Sequence, residues 1–531
     1  FKKCPDTAYV IYITDGAPTV DKSADLLIKN LTSTAKNKDA DYTIFNFKNP
    51  QNENDTSYMP ALAAYMYNND VVIGNKDSMG VDNKQNIRIF TIGFSDGADA
   101  AADLLEETAF RGGNPRNSDG ISKGYYVAKN GLDLVTALDD ALKSILTIDS
   151  TFTSPSIASN NFDKTQTYNA AYYAMFLPGN GPRWSGNLKK LKVNSAGEIV
   201  GPGGSANAID TKGNISIDTC TYWNACSGVN DGNKVLSGGV LPTLRSQLKN
   251  RKIYTNSGTN LVNLATSSFV SSYSQTDLDW LYGVDVDDDD NDDSTSDPRE
   301  DMMGDPLHSK PLAINFGSAT TMDVRIILST NQGLVHMFKD SDLGSADYSV
   351  GSVSESWAFI PNELWGNIPK LRNNPATGVH SVYGMDLSPV AYTKTDSTGK
   401  VKDAWLYLGM RSGGTSYYAL DISKPDSPTF KWMINSDSTG FEDLGQTWSE
   451  PVVTFLKGIS DPVLIFGGGM ASAQGSGQAV YIVNAKDGTL ITKFTDTGMG
   501  SVVAKVAILD SDNDGNTDRI YSSDISGNVW R

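Results

Sequence analysis

The hydrophobic pattern changes character along the chain, and each change marks a different architecture. Over residues 1–149, β-branched and aromatic runs alternate with amphipathic stretches. YVIYITDG reads as a buried strand ending in a turn, SADLLIKNL as a helix and NIRIFTIGF as a second buried strand. AADLLEETA, GYYVA and GLDLVTALDDALKSIL then read as helix, strand and helix, which predicts a mostly parallel sheet with helices on both faces. Residues 49–86 are rich in Asn, Asp and Gly, the signature of surface loops, here around an inserted helix at 61–67. From 150 to 284 short alternating runs such as YNAAYYAMFL and WSGNLKKLKV, separated by Pro-Gly and Gly-Pro turns, predict a β-rich middle module with one helix in LPTLRSQLKN. An acidic linker spans 285–303 and contains the string DVDDDDNDD.

From residue 304 the sequence repeats. HSKPL, LSPV and SEPV each open a unit, and each is followed by a strand, a Gly-containing turn and a second strand: RIILSTNQGLVHMF, WLYLGMRSGGTSYYALD, and VLIFGGGMASAQGSGQAVYIVNA. DRIYSSDISGNVWR is a fourth copy, which stops in mid-blade at Arg531. Units of about 50 to 80 residues made only of strands and Gly turns are what propeller blades require, so 304–531 is expected to be part of a β-propeller.

Composition narrows the partners. Acidic side chains outnumber basic ones 62 to 44, a net charge of -18 that repels phosphate backbones and anionic lipid; nucleic acid is excluded as an expected partner. No run reaches the roughly 18 consecutive apolar residues of a membrane span. Of the three cysteines, Cys220 and Cys226 in CTYWNAC are close enough to close a small loop in an oxidising compartment, which would present Tyr222 and Trp223 on a constrained surface loop; reduced thiols are the alternative.

The aspartates cluster more densely than solubility requires. In DSDNDGNTD, Asp510, Asp512 and Asp514 occupy positions 1, 3 and 5 of an EF-hand-like loop, and Gly515 takes position 6, where the sharp turn lies. The Asn516 carbonyl at position 7 and Asp518 at position 9 complete a set of hard oxygen ligands suited to Ca2+. Tyr521 stands where an EF-hand has its bidentate glutamate, so the loop is a shortened form, expected to pin a hairpin. DVDDDDNDD offers oxygens at Asp285, Asp287, Asp289, Asn291 and Asp293, without a glycine at the sixth place; a weaker cation loop and a solvated linker are both open. His308, His336 and His380 are the only histidines, and each reads as a structural residue rather than a general base.

GDPLHSKP, SYYALDISKPDSP and LDSDNDGNTDRIYSSDISGNVWR together resemble the PilY/PilC family of type IV pilus assembly factors and tip-associated adhesins of Gram-negative bacteria. RWSGNLKKLKV is similar to the family's segment before its propeller, and TAYVIYITDGAPT to its N-terminal von Willebrand A-type domain. The resemblance implies a secreted, calcium-binding, non-enzymatic protein at the pilus tip, with minor pilins as partners and host or abiotic surfaces as targets. It implies the C-terminal portion of an A-type domain at 1–149, where Asp15 matches the last aspartate of a divalent-ion site whose DxSxS loop is expected upstream of Phe1, and a quinoprotein-like propeller at 304–531. Two alternatives stand: an adhesin without a regulatory role, and a quinone-dependent dehydrogenase. The latter would need stacking aromatics in its channel and often an adjacent cysteine pair, which Cys220 and Cys226 are not.

Overall fold

The computed structural model describes residues 7–16, 22–35, 37, 40–49, 53–69, 86–117, 120–149, 152–159, 167–204, 208–210, 213–217, 219–224, 230–266, 273–290, 292–318, 321–341, 351–473 and 475–531. It divides into two compact units, residues 1–150 and 151–531.

In the first unit, strands Thr7–Thr14, Asn86–Phe94 and Tyr125–Ala128 form a parallel sheet in that order. Alternation along the central strand sends its side chains to opposite faces. Ile92 and Phe94 pack with Ala137 and Leu138 of helix Gly131–Asp149. On the other face, the Thr91 hydroxyl donates to the Leu105 carbonyl at 2.9 Å and Gly93 approaches Leu105 of helix Ala102–Arg111. Helices therefore cover both faces, as the buried parallel strands demand. The inserted helix is Met59–Asn68, longer than expected by Met59 and Pro60 at its start and Asn68 at its end.

The second unit stacks sheets. Strands Phe152–Ser159, Thr167–Leu177, Ser185–Val193 and Ile199–Val200 make an antiparallel sheet. Next comes a six-stranded sheet, Asn260–Asn263, Ile253–Ser257, Val353–Phe359, Val335–Asp340, Val324–Ser329 and Leu312–Asn315. Two four-stranded blades follow, spanning Val390–Thr395 to Thr429–Ile434 and Val452–Thr454 to Leu490–Phe494, then a three-stranded one from Ala507–Leu509 to Val529–Trp530. Consecutive residues of each inner strand serve different neighbours. Ile326 and Leu328 pack against Tyr172 and Leu188 of the preceding sheet, whereas Ile327 faces the core shared with Leu406 and Leu408 of the next blade. Leu464 and Phe466 join Tyr407 and Tyr417 of the blade before, and Val463 and Ile465 join Val502 and Val506 beyond. Strands buried on both faces read as continuous apolar runs, which is why RIIL, WLYL and VLIF were recognisable.

The linker expected at 285–303 does not separate sheets: the middle-module strand Ile253–Ser257 pairs in parallel with Val353–Phe359 of the first blade, through Ile253↔Ala358 and Tyr254↔Phe359. The strand in WSGNLKKLKV also departs from its polar appearance, because Lys189, Lys190 and Lys192 are buried. Lys189 Nζ donates to the carbonyls of Asp231, Gly232 and Lys234, and burial pushes its pKa down to about 8. Lys190 pairs with Asp340 at 2.7 Å.

Candidate metal centre

The acidic loop 510–518 is the turn between the first two strands of the three-stranded blade, Ala507–Leu509 and Arg519–Ser523. Its base is fixed by main-chain bonds. Leu509 pairs with Arg519, the Asp518 N–H donates to the Leu509 carbonyl at 2.9 Å, and the Thr517 N–H donates to the Phe455 carbonyl of the preceding blade at 2.8 Å. The hydroxyls of Thr454 and Thr517 meet at 2.7 Å. Above this anchored base the aspartates fold the tip on themselves. The Asp514 N–H donates to Asp510 Oδ1 and Asp512 Oδ1, both at 3.2 Å, and the Gly515 N–H to Asp510 Oδ2 at 2.9 Å. Gly515 has φ +87° with nothing within 4 Å of a Cβ built there; backbone conformation, not packing, requires the glycine.

The turn brings carboxylate oxygens of Asp510, Asp512 and Asp514 within 4.8 Å of one another. Asp518, expected to close the ring, instead accepts from the Ser511 N–H at 2.8 Å and from the Ser511 hydroxyl. Asn516 turns its side chain to Asp514 Oδ1 at 3.0 Å. Electrostatics follow the geometry. The hydrogen bond from the Asp514 amide pulls the Asp512 carboxyl down, yet desolvation, the Asp514 and Asp518 charges and a hydrogen bond with Asp510 leave it above its ordinary value. The bonds from Ser511 hold Asp518 below its own. A tight, exposed trio of hard oxygens whose mutual repulsion already shows in one raised pKa fits a divalent cation of the calcium type.

The second acidic run is built in the opposite register from the expected one. Asp288, Asp290 and Asp292 converge, with carboxylate oxygens within 4.8 Å of one another. Of the alternate set, Asp287 is held by Arg372 through two 2.7 Å bonds and Asp289 by Arg183 at 2.7 Å. Asp285 is buried and accepts from the Asp289 N–H at 3.1 Å. Asn291 lies outside the described residues. The arginines decide the register, and they come from 106 and 85 residues away in sequence, so no local pattern could have shown it.

Other singled-out residues fall as follows. Asp15 follows the C-terminal end of strand Thr7–Thr14 and, with Tyr12, Thr14, Gly16, Ser57 and Tyr58, lines a cavity of about 360 Å³. Cys220 is disulfide-bonded; Cys226 lies outside the described residues. Tyr222 and Trp223 are not presented on the surface. Both are buried, because the Tyr222 hydroxyl reaches the Gly201 carbonyl at 2.8 Å and Trp223 stacks on Tyr172 with its Nε1–H directed at Asp340. His308 Nδ1 bonds Asp386 at 2.8 Å, His336 Nδ1 bonds Glu355 at 2.7 Å and His380 Nε2 bonds Asp305 at 3.1 Å. Among the described residues no helix is long and apolar enough to cross a membrane.

Residues 306–531 match the family described as the PilY1 beta-propeller domain. The chain is 26% identical over 260 residues to the type IV pilus biogenesis factor PilY1 of Pseudomonas aeruginosa strain UCBPP-PA14, covering 44% of this chain and 21% of the relative. It is 28% identical over 236 residues to a PilY1 homolog of Xylella fastidiosa, covering 41% of this chain and 14% of the relative. The chain thus spans about a fifth or less of the length of these curated relatives. It is also similar to the crystal structure of the Pseudomonas aeruginosa PilY1 C-terminal domain, at 24% identity over 39% of this chain and 38% of that one, with a TM-score of 0.29.

Proposed function

We propose that this chain, whose residues 306–531 belong to the PilY1 beta-propeller family, is a calcium-responsive type IV pilus factor acting at the cell surface or pilus tip. The relatives it matches carry the name of type IV pilus biogenesis factor, which supports a pilus-associated role. The single observation that carries the calcium part is the convergence of Asp510, Asp512 and Asp514 in the hairpin of Ala507–Leu509 and Arg519–Ser523. A bound calcium would supply positive charge to that trio, with the Asn516 carbonyl and Asp518 as further oxygens once Asp518 leaves Ser511. The chain's own contribution is the anchored hairpin: the loop's order is transmitted to the preceding blade through Thr517, Thr454 and Phe455. In this reading the loop biases pilus assembly against retraction, minor pilins are the partners, and the first unit, as the C-terminal part of a von Willebrand A-type domain, places Asp15 at a second cation site facing host or abiotic surfaces.

The test is made in a piliated host, with the natural full-length protein carrying Asp510→Ala. Surface pili are counted with calcium present and after chelation. The calcium dependence of pilus number is expected to disappear in the variant. Wild-type dependence would contradict the reading, and unchanged pili with lost surface attachment would favour an adhesin without a regulatory role.

A further inference from the structure

A different cavity, of about 250 Å³, opens where helix Leu241–Gln247 and its following turn meet the first blade. Strand Val353–Phe359 forms its floor. That strand is flanked on one side by Ile253–Ser257, preceded by Lys252, and on the other by Val335–Asp340, which carries Lys339 opposite Ser354. The pairing slips here: Met337 faces Trp357 while Phe338 faces Glu355, so Ser356 is the extra residue of a bulge, the device by which strands re-aim side chains. Ser354 and Ser356 both line the cavity between the two lysines.

What matters is which groups are already occupied. Glu355 accepts from Arg251 at 2.6 and 2.9 Å and bonds His336; burial pushes its carboxyl up, but the Arg251 charge and these bonds bring it down to about 2, so it is a neutralised anion. Asp426 accepts from Arg325 at 2.6 and 3.3 Å, and Arg325 also holds Asp323. The Asp426 carboxyl lies below its ordinary value through that hydrogen bond, against burial, with the charges of Arg325, Lys339 and Lys252 adding to it, which shows both lysines acting at the same point. By contrast, Lys252 is exposed and its ammonium bonds no described residue, and Lys339 reaches only to 4.0 Å from Asp323. The Ser354 hydroxyl has no partner among the described residues, and Ser356 accepts from Arg325, leaving its own O–H to donate. Among the lining residues, Arg251, Lys252 and Lys339 outnumber Glu355 and Asp426 by one, in a chain whose net charge is -18. The chemistry left available in the cavity is therefore donating and positive.

We propose that this cavity is a small-oxyanion site: Lys252 and Lys339 clasp a carboxylate, sulfate or phosphate group, with the Ser354 and Ser356 hydroxyls donating to its oxygens. Its volume lies just below the roughly 300–1,000 Å³ of pockets for drug-sized ligands, which suits a ligand of monosaccharide size or smaller. The chemistry has two sources, an acidic sugar or a free inorganic anion.

The experiment is calorimetric titration of the 531-residue chain with glucuronate, inorganic phosphate and, as the uncharged control, glucose, in low-salt, calcium-free buffer. Saturable binding of about millimolar affinity is expected for at least one anion and not for glucose. Glucuronate alone identifies an acidic sugar, and phosphate binding as well identifies the bare oxyanion. The Lys252→Ala/Lys339→Ala double variant should bind about tenfold more weakly or worse, and Lys252→Arg/Lys339→Arg should retain binding. An unchanged melting temperature in the double variant excludes a folding defect, the expected result for side chains at the surface. No saturable binding of either anion, equal binding of glucose, or an unaffected double-alanine variant would overturn the proposal.

Discussion

Both acidic loops gather three converging carboxylates, Asp288, Asp290 and Asp292 in one and Asp510, Asp512 and Asp514 in the other, but only the first loop is pinned by arginines. Around 285–293, Arg183 holds Asp289 and Arg372 holds Asp287, and Arg183 also pairs with Asp301 at 3.0 Å, so two of the loop's seven aspartates are matched within the protein. The loop is fastened to segments distant in sequence. Around 510–518, none of the three clustered carboxylates is bonded to a cation among the described residues; serine, backbone amides and the other aspartates surround them. That loop is fastened only at its base. The backbone solves the tight turn differently as well. Both loops put a side chain in the left-handed region at the fourth position, Asp288 at φ +51° and Asn513 at +58°, but the second left-handed residue is Gly515, at no steric cost, in one loop and Asp293, at +66°, in the other. Arginine clamps hold Asp287 and Asp289 of the 285–293 turn, which has no glycine, while the 510–518 loop turns on Gly515 and has none of its aspartates ion-paired among the described residues.

The largest effect is expected from breaking the clamps. Arg183→Ala combined with Arg372→Ala leaves Asp287, Asp289 and Asp277 without their arginines, while Asp301 keeps Arg299 at 2.6 Å. Fully buried pairs broken this way cost about 3–5 kcal/mol, and these are partly solvent-screened, so about 2 kcal/mol of stability should be lost in urea unfolding. A loss below a few tenths of a kcal/mol would mean that the arginines do not hold the loop. Next in size is Gly515→Ala. With open space around the site, only the left-handed backbone is penalised, by about 1–2 kcal/mol, and the penalty should fall on the calcium-bound hairpin rather than on the neighbouring blade. Hydrogen exchange of the Arg519–Ser523 strand with and without calcium reads it out directly.

The smallest effect is a difference in pH response. Asp287 is held below its ordinary value by the Arg372 hydrogen bond, against burial. Its contribution is present above the unfolded-state value of about 3.9 and is lost as pH falls through the lower folded value. Asp512 is raised, so its sign is reversed: its charge destabilises the calcium-free hairpin at neutral pH, and protonation relieves this as pH falls into the upper carboxylate range. Asp290 is also raised, by desolvation and by Asp292, Asp285 and Asp297. A melting curve against pH without calcium should therefore gain stability slightly before losing it. Asp512→Asn should flatten the first limb and Arg372→Ala the second. Identical profiles in wild type and both variants would remove the electrostatic distinction between the loops.

Much of this architecture was legible because it rests on local pattern. Doubly buried strands leave uninterrupted apolar runs, and Gly515 at the sixth place of DSDNDGNTD marked its turn from the sequence alone. Illegible features depend on partners far along the chain. Ile253–Ser257 joins the first blade through two residue pairs with a strand about a hundred positions on, and no periodicity announces such an addition. Tyr222 and Trp223 looked like loop aromatics until Tyr172 and Asp340 supplied their burial. Lys189 looked like the polar side of a strand, yet three carbonyls of a later loop receive its ammonium. Asp518 shows the same limit at short range: spacing gives it to the ring, and Ser511 competes for it.

The central claim, that 510–518 is the cation-responsive loop because its glycine turn gathers Asp510, Asp512 and Asp514 with no arginine pinning the loop, is tested most directly by calcium calorimetry. The titration compares the wild-type chain with Asp510→Ala, Asp518→Ala and Arg183→Ala/Arg372→Ala. The account predicts a calcium-binding isotherm that is lost in both aspartate variants, together with the calcium-dependent rise in melting temperature, and that survives in the double arginine variant. Calcium binding left unchanged by Asp510→Ala and Asp518→Ala would contradict it.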